Sequence, residues 1–456
     1  MAHRGREHIL IISHSYTPFI NPRAFRWSAI AEYWAQEGKD VDVVCSWLPG
    51  LRRYELVNGV EVHRIGGNVT ERLRARLRPT TRTTVESSSK IAENATNTPV
   101  RKLGNWIIGA LRFFHDVIWK NIYWPDYACL WINSAATKAL ELCNMVRYDA
   151  VISVSDPFSS HLAGQSVKIA FPEKKWMVDI GDPFCFRHDN ATNNHKLYRK
   201  YNYQAEEKVI TKADIVTVTN GDTKAKYSEL FPGCSNKIQV IHPMMKEIDL
   251  PQNRERILPE NNRTKLVYVG TLYRSIRNPE YLLKMFLELK ALPNSKVIEL
   301  HIFGGYDDCR DIFDAYRSRL GDKLVLHGLV SRSKVLAAMS EADVLVNIGN
   351  DNPYQLPSKL VEYSWLGKPI VNLHSIDKDS SKSFLKQYPV ILNIHTRSSD
   401  PLELQTQKLS QFLQSLPIAI EESFLRNWRT QFGVEAVSNQ YAVALEHTRV
   451  LEPALV

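Results

Sequence analysis

The sequence predicts an α/β protein of two doubly wound, Rossmann-like domains facing a cleft. Three observations carry that expectation: a βαβ opening at the N-terminus, a second strand–helix–strand succession beginning at Lys265, and a loop-to-helix segment, Gln355 to Tyr363, patterned to hold an anion. A chain of 456 residues is too long for one hydrophobic core and fits two domains of about 200 residues each.

The elements follow in order. His8 to Ser13 is a continuous apolar strand, followed by a loop of Pro18, Asn21 and Pro22 and a helix from Arg23 to Glu37 that Gly38 closes. Val41 to Cys45 supplies the second strand, with no glycine-rich fingerprint between them, so a dinucleotide is not expected. Residues 70–105 turn to Arg, Ser and Thr, including Arg72, Arg74, Arg76, Arg78 and Arg82, and read as a mobile insertion. The aromatic stretch Trp106 to Trp124, edged by Arg101, Lys102, Arg112 and Lys120, has two readings: a helix lying on a bilayer, or a core helix. A helix at Ala135 to Val146 and strands at Ala150 to Val154, Trp176 to Asp179 and Ile215 to Thr219 complete a first domain, residues 1–243. Lys265 to Gly270 opens the second, residues 244–417; its strands at Lys323 to Gly328, Ala342 to Ile348 and Pro369 to Leu373 alternate with helices. A last helical pattern, Ile418 to Val450 within 418–456, is expected to pack back on the first domain.

Composition excludes several classes. Hydrophobic content of 44% fits a fully globular protein, and there is neither a cleavable leader nor 18 uninterrupted apolar residues, so a cytoplasmic protein is expected. Six cysteines without a Cys-x-x-Cys pair argue against a zinc site or disulfide framework. In that setting the sequons at Asn68, Asn94, Asn190 and Asn262 carry no meaning. The net charge of +9 suits an anionic membrane surface and anionic substrates; without zinc-finger spacing or an RNP-like motif, nucleic acid is not expected.

In Gln355-Leu356-Pro357-Ser358-Lys359-Leu360-Val361-Glu362-Tyr363 a proline at the first helical position and the adjacent serine leave backbone N–H groups facing an anion at the positive helix end. Glu362 lies four residues after Ser358, on the same face at roughly 6 Å, the spacing from a diphosphate to the ribose hydroxyls of one nucleotide.

With that grip in its second domain, the chain resembles the GT-B glycosyltransferases, in particular the retaining family 4 group that builds bacterial surface polysaccharides. Three segments carry the resemblance: Val267 to Pro279, like the first loop of the donor domain; Pro357 to Tyr363, like its nucleotide-binding helix; and Trp176 to Phe184, like the Asp-Pro-Trp element facing the cleft. The resemblance implies transfer of a sugar from a nucleotide-diphosphate donor, UDP-sugar favoured and GDP-sugar possible, to a lipid-linked or polysaccharide acceptor, with retention and without metal or other cofactor. It implies donor contacts at Gly270, Thr271, Arg274, Tyr354, Gln355, Ser358, Leu360 and Glu362, with Arg277 and Lys359 neutralising the departing diphosphate. Tyr354 stands where the family commonly has a glutamate, leaving Asp351, Asn352 or Tyr354 itself to meet the sugar.

On the acceptor side Asp182, framed by Gly181 and Pro183, and His161, in the first turn of a helix facing the cleft, are the catalytic candidates. Arg23 and Arg26 read equally as acceptor-phosphate contacts or as surface charge. Glu206 and Glu207 read as helix surface. A nucleotide-sugar 2-epimerase and a degenerate nucleotide-binding scaffold are the competing readings, and association with the inner face of a membrane is expected from the basic and aromatic stretches.

Overall fold

The computed structural model describes residues 6–19, 21–67, 120–187, 191–245, 256–292 and 296–447. The basic insertion and the aromatic segment up to residue 119 lie outside the described residues. The chain forms two compact units, Met1–His242 with Val434–Val456, and Pro243–Gly433.

The first unit holds strands β1 (His8–Ser13), β2 (Asp40–Ser46), β3 (Tyr54–Val57), β4 (Val60–Ile65), β5 (Ala150–Val154), β6 (Lys175–Ile180), β7 (Ile215–Val218) and β8 (Ile238–Val240). They pair in the order β3-β4-β2-β1-β5-β6-β7-β8, parallel except for the antiparallel β3–β4 hairpin. That hairpin turns on Asn58-Gly59, whose φ of 48° and 86° match the left-handed geometry such two-residue turns require. β1 sits where the strand order reverses, between β2 and β5, so the crevice of this sheet opens at the carboxyl ends of β1 and β5. Helix α1 (Pro22–Gln36) starts as its sequence dictates: Asn21 Oδ1 accepts from Ala24 N at 2.8 Å, and Pro22 fills the first turn. Helices α2 (Ile132–Met145), α3 (Ser159–Ala170), α4 (His195–Lys212) and α5 (Gly221–Leu230) follow.

The second unit is an all-parallel sheet of β9 (Thr264–Val269), β10 (Ile298–Phe303), β11 (Leu324–Gly328), β12 (Val344–Ile348), β13 (Ile370–His374) and β14 (Ile391–His395), ordered β11-β10-β9-β12-β13-β14. Its helices are α6 (Glu280–Ala291), α7 (Arg310–Leu320), α8 (Arg332–Glu341), α9 (Lys359–Trp365), α10 (Ser380–Phe384), α11 (Leu402–Gln414) and α12 (Glu422–Phe432). The order reverses between β9 and β12, which sets a crevice at the ends of those two strands.

The expected single terminal helix is two. Gly433 has extended backbone and ends α12, which packs Leu425, Trp428 and Phe432 into the second unit; the following helix α13 (Val434–His447) belongs to the first. Tyr441 of α13 explains the attachment. Its hydroxyl donates to Asp179 Oδ1 at 2.7 Å, and the same carboxylate accepts from Thr217 Oγ1 at 2.7 Å, Arg23 Nη2 at 2.7 Å and Trp27 Nε1 at 2.8 Å. Burial alone would push this carboxyl up, but Arg23 and Arg26 with the two hydroxyls outweigh it and hold it below the ordinary aspartate value.

Arg23 and Arg26 are therefore neither acceptor contacts nor surface charge. Arg26 is buried, donating to the carbonyls of His242 at 2.8 Å and Ile241 at 3.1 Å and to Tyr441 Oη at 2.7 Å. Arg23 ties α1 to the ends of β5 and β6, and Arg26 ties it to the segment after β8 and to α13.

Asp179→Ala leaves Arg23 buried without its counter-charge and is expected to cost about 3–5 kcal/mol in urea unfolding, against about 1 kcal/mol for Thr217→Val. Because the folded carboxyl titrates below its unfolded value, its stabilisation is present above the ordinary aspartate pKa and is lost as pH falls through the folded one. The acid side of the wild-type stability profile is expected to show that loss, and the alanine variant to lack it.

Candidate functional site

The sequence-predicted grip assembles in the second unit, where β9 and β12 end. Gly270 follows β9 with φ of 147°, and its N–H donates to Phe303 O at 2.7 Å. A Cβ at Gly270 would run into Lys359 Nζ, so the ammonium occupies the space that a side chain here would fill. Across from it, a Cβ at Gly304 would strike the carbonyl of Gly270, so two glycines permit this close approach of backbone and cation. Tyr363, one turn after Lys359, accepts from Val269 N at 2.9 Å and pins α9 beneath the end of β9. A small pocket results, lined by Tyr268, Val269, Arg277, Asn347, Ile348, Pro357, Ser358 and Lys359.

Its electrostatics are unbalanced. Burial first, and then the neighbouring Arg277, push Lys359 down to about 7, with Glu362 pulling the other way. Among the described residues Lys359 forms no ion pair. Arg277 is oriented by Asn350, whose Oδ1 accepts from Nε at 2.9 Å while its Nδ2 donates to Gln355 O at 3.0 Å; Ser380 Oγ donates to the same carbonyl at 2.8 Å. Asn350 and Ser380 thus hold the loop in shape, and neither stood out in the sequence. Glu362 is mostly buried and pairs with Arg332 Nη2 at 3.0 Å, another partner that the motif alone did not reveal.

The expected source of anion attraction needs correction. α9 begins at Lys359 rather than at Pro357 and has seven residues, and Ser358 is exposed with no capping bond from its side chain. Leu360 N donates to Pro357 O at 3.0 Å and Val361 N to Ser358 O at 3.3 Å, so those N–H groups are turned inward. The pull on an anion comes from Lys359 and Arg277 more than from a helix end. Leu360 is completely buried in the core of the unit. Its side chain cannot touch a ligand.

Other donor-side candidates scatter. Arg274 is exposed, ion-paired with Asp311, and its N–H donates to Asp308 Oδ2 at 2.8 Å. It lines a separate, wider groove with Tyr281, Lys284, Asp351, Ser375 and Arg397. Asp351 is engaged by Ser375 and by Arg397 Nη2 at 2.6 Å. Tyr354 is half-buried, its N–H donating to Asn352 Oδ1 at 3.2 Å, and Asn352 Nδ2 donates to Gln355 Oε1 at 3.2 Å. Thr271 is half-buried beside Gly305.

In the first unit, His161 does stand in the first turn of α3 but points inward. It is fully buried; Nδ1 lies 2.9 Å from Ser153 Oγ, which also accepts from Trp176 Nε1 at 2.9 Å, and Nε2 has no partner. Burial, with Arg23, pushes the imidazole down to about 3 despite the opposing Asp179, so it is neutral at any working pH. Gly164, where a Cβ would approach Trp176 Nε1 and Ser153, lets α3 ride that close to the sheet and draws His161 into the interior.

Asp182 is open to solvent for about a third of its side chain and lies 3.3 Å from Arg187 Nη1, which also reaches Asp156 Oδ2 at 3.4 Å. Desolvation and the nearby Asp126 and Asp182 carboxylates push Asp156 up to about 6 against the pull of Arg187. The loops bearing the two aspartates are clasped by Phe158 and Phe184, stacked at 4.1 Å and 8°. Glu206, expected on the helix surface, is buried and holds the same loop: it accepts from Phe184 N at 3.0 Å and Cys185 N at 2.7 Å as well as from Tyr227. Glu207 is exposed, as read. Among the described residues, Asp42, Glu61 and His63 bring ligand atoms within 4.8 Å of one another, on β2 and β4 rather than at the strand ends. His63 Nε2 lies 2.9 Å from Asp42 Oδ1, and that polar contact accounts for their grouping.

Comparison with known proteins agrees with this geometry. Residues 263–378, about a quarter of the chain and all within the second unit, match the family model described as "Glycosyl transferases group 1". No curated protein matches. Among solved structures, sucrose-phosphate synthase from Thermosynechococcus elongatus superposes with a TM-score of 0.63 at 14% identity, covering 98% of this chain and 100% of that one. Anabaena HepE in complex with UDP gives 0.58 at 13%, covering 97% and 100%. The lipopolysaccharide outer core galactosyltransferase WaaB gives 0.57 at 12%, covering 96% and 99%. At such identities the likeness establishes the fold, which is the two-domain GT-B architecture.

Gly270→Ala forces either the ammonium or the strand end aside. Inorganic pyrophosphate measured by titration calorimetry is expected to bind the variant at least about tenfold more weakly than wild type, as the loss of one charge-assisted contact requires. Equal affinities would show that Lys359 does not meet the anion there.

Proposed function

We propose that this chain is a retaining glycosyltransferase that moves a sugar from a nucleoside-diphosphate donor, a UDP-sugar, to a glycan or lipid-linked acceptor without a metal ion. The observation that carries the reading is the Lys359–Arg277 pair: two neighbouring cations at the end of β9, the lysine held against Gly270 and forming no ion pair among the described residues. Solvated surface cations repel one another weakly, but a desolvated pair is costly unless an anion completes it. A diphosphate supplies that anion. In this reading Glu362, one turn along α9 and ion-paired with Arg332, accepts the ribose hydroxyls. HepE has been solved with UDP and with UDP-glucose, which favours uridine among the bases.

In this reading the anomeric carbon–phosphate oxygen bond breaks and the acceptor oxygen bonds to the same face of that carbon. Negative charge grows on the departing diphosphate, where Lys359 and Arg277 stabilise it, and a phosphate oxygen takes the acceptor proton. No protein carboxylate is then needed as a nucleophile, which fits the engagement of Asp351 by Ser375 and Arg397. Tyr354 and Asn352, on the loop that Asn350 shapes, are left to meet the donor sugar. Asp182, with Asp156 and Arg187, offers the acceptor side two carboxylates that accept hydroxyl hydrogen bonds. Activity at the cytoplasmic face of a membrane follows from a lipid-linked acceptor.

Titration calorimetry with UDP, GDP and ADP tests the reading. UDP is expected to bind best, and Glu362→Ala to weaken it by about tenfold or more, the worth of a hydrogen bond to a charged group. The pH dependence has a definite sign. Free Lys359 loses its proton as pH rises through about 7, whereas the bound form holds it, so binding takes up a proton above that pH. UDP affinity is expected to fall between pH 7.5 and 9, by at most about tenfold per pH unit, and Lys359→Ala to flatten the slope. Equal indifference to every diphosphate would refute the donor reading.

A further inference from the structure

On the described surface, exposed apolar side chains gather among cations along helix α4. On α4 the residues Asn202, Ala205, Glu206, Val209 and Ile210 form the buried stripe, repeating at helical spacing. The opposite side of its first two turns exposes Leu197, at 59%, and Tyr201, at 61%, four residues apart and therefore stacked along one face. Lys196, Arg199 and Lys200 are exposed beside them, and these turns contain no acidic residue; the helix's two glutamates, the buried Glu206 and the exposed Glu207, come later along it. Ile122, 55% exposed, adjoins this face, because Tyr198 donates its hydroxyl to the Ile122 carbonyl. Tyr54 and Leu56 are also exposed together, on the short strand β3, but there the acidic Glu61 lies against Tyr54, whereas the exposed first turns of α4 carry cations alone.

We propose that this face of α4, Leu197, Tyr201 and Ile122 ringed by Lys196, Arg199 and Lys200, docks on an anionic lipid bilayer. The complementarity is chemical. Leucine and isoleucine enter the acyl boundary, tyrosine sits at headgroup depth with its hydroxyl wet, and the lysine and arginine stems extend along the apolar surface while their charges reach lipid phosphates. Each cation near an anionic surface contributes roughly fivefold in partitioning, so three matter more than the small apolar area. The chain's net charge of +9 adds a long-range attraction of the same sign.

The position of the face matters for the proposed activity, on which this part of the inference rests. His195, the first residue of α4, has Nε2 2.9 Å from Cys185 O, and Glu206 of the same helix accepts from Phe184 and Cys185 N–H. The helix that meets lipid is thus bonded to the loop that carries Asp182. An acceptor presented from the bilayer would arrive beside the acceptor-side carboxylates.

Flotation of the full chain with extruded vesicles tests the proposal, using phosphatidylcholine alone and phosphatidylcholine with about one-third phosphatidylglycerol. Wild type is expected to float with the anionic vesicles at low salt, to be released by added salt, and to ignore the neutral ones. Replacing Lys196, Arg199 and Lys200 together by glutamate is expected to lower partitioning on the order of a hundredfold. Leu197→Ser with Tyr201→Ser is expected to weaken binding to anionic vesicles while leaving its salt dependence in place. All five side chains are solvent-facing, so unchanged melting curves will certify the variants. Indifference of wild type to anionic vesicles overturns the proposal, and so does a charge-reversed variant that floats like wild type. UDP-induced thermal shifts on the same samples report the donor site independently, so a failure at the lipid surface is distinguishable from a failure of the transferase reading.

Discussion

The ammonium of Lys359, seated where Gly270 has no side chain, is the constraint around which the second unit is arranged. It requires a strand ending on glycine, a second glycine at 304 to admit that backbone, and a helix starting close enough to deliver the lysine. Tyr363 fixes the last of these by bonding Val269 across the strand end. Each requirement is local and cheap alone, yet together they leave a desolvated cation beside Arg277, a state that the folded chain tolerates by lowering the lysine's proton affinity toward 7. The fold thus holds two neighbouring cations whose mutual repulsion an anion would relieve, and a transition state that develops negative charge is where such a pair would act.

The first unit treats its buried charges in the opposite way. Asp179 accepts four hydrogen bonds through both oxygens, and Arg26 has protein acceptors on both terminal nitrogens. In that network Arg26 Nε is the buried atom left without an acceptor. The difference separates structural from functional ionic groups better than residue type does: a buried ion that is satisfied holds elements together, whereas one left short of partners marks a site. By the same criterion Asp156 and Asp182, partly solvated and sharing one guanidinium nitrogen, stand apart from Asp179 although all three lie near the ends of β5 and β6.

What could be read from the sequence divides along the same line. The parallel sheets were legible because their strands are unbroken apolar runs, and the Lys359–Glu362 segment because its chemistry is contiguous. The Asp179 network was not, since its partners come from positions 23, 27, 217 and 441 and no local pattern announces them. Glu206 was misread as surface because one buried carboxylate on a helix with many polar residues leaves the periodicity almost unchanged. His161 was misread because a first-turn position does not fix which way a ring points; Gly164, three residues later, draws the helix onto the sheet. The β3–β4 hairpin went unread, although Asn58-Gly59 between two short β-prone runs is a strong turn signal. Arg332 and Asn350 are second partners, and a motif specifies the residue that touches a ligand more tightly than the residue that orients it.

The loop from Gly181 to Arg187 shows how the first unit joins those two kinds of information. Its half-buried Asp182, and the half-buried Asp156 nearby, are held by Arg187, while its backbone hangs from a carboxylate inside α4 and its aromatic ring stacks on Phe158. Removing Glu206 would leave two N–H groups and a tyrosine hydroxyl without acceptors, so the loop geometry is paid for by a buried charge rather than by the aspartates it displays. That division lets Asp156 change protonation without dissolving the loop. Asp156 can gain a proton near pH 6 while the scaffold beneath it stays fixed, because the groups that set the backbone are sealed from solvent and the groups that face solvent set nothing else.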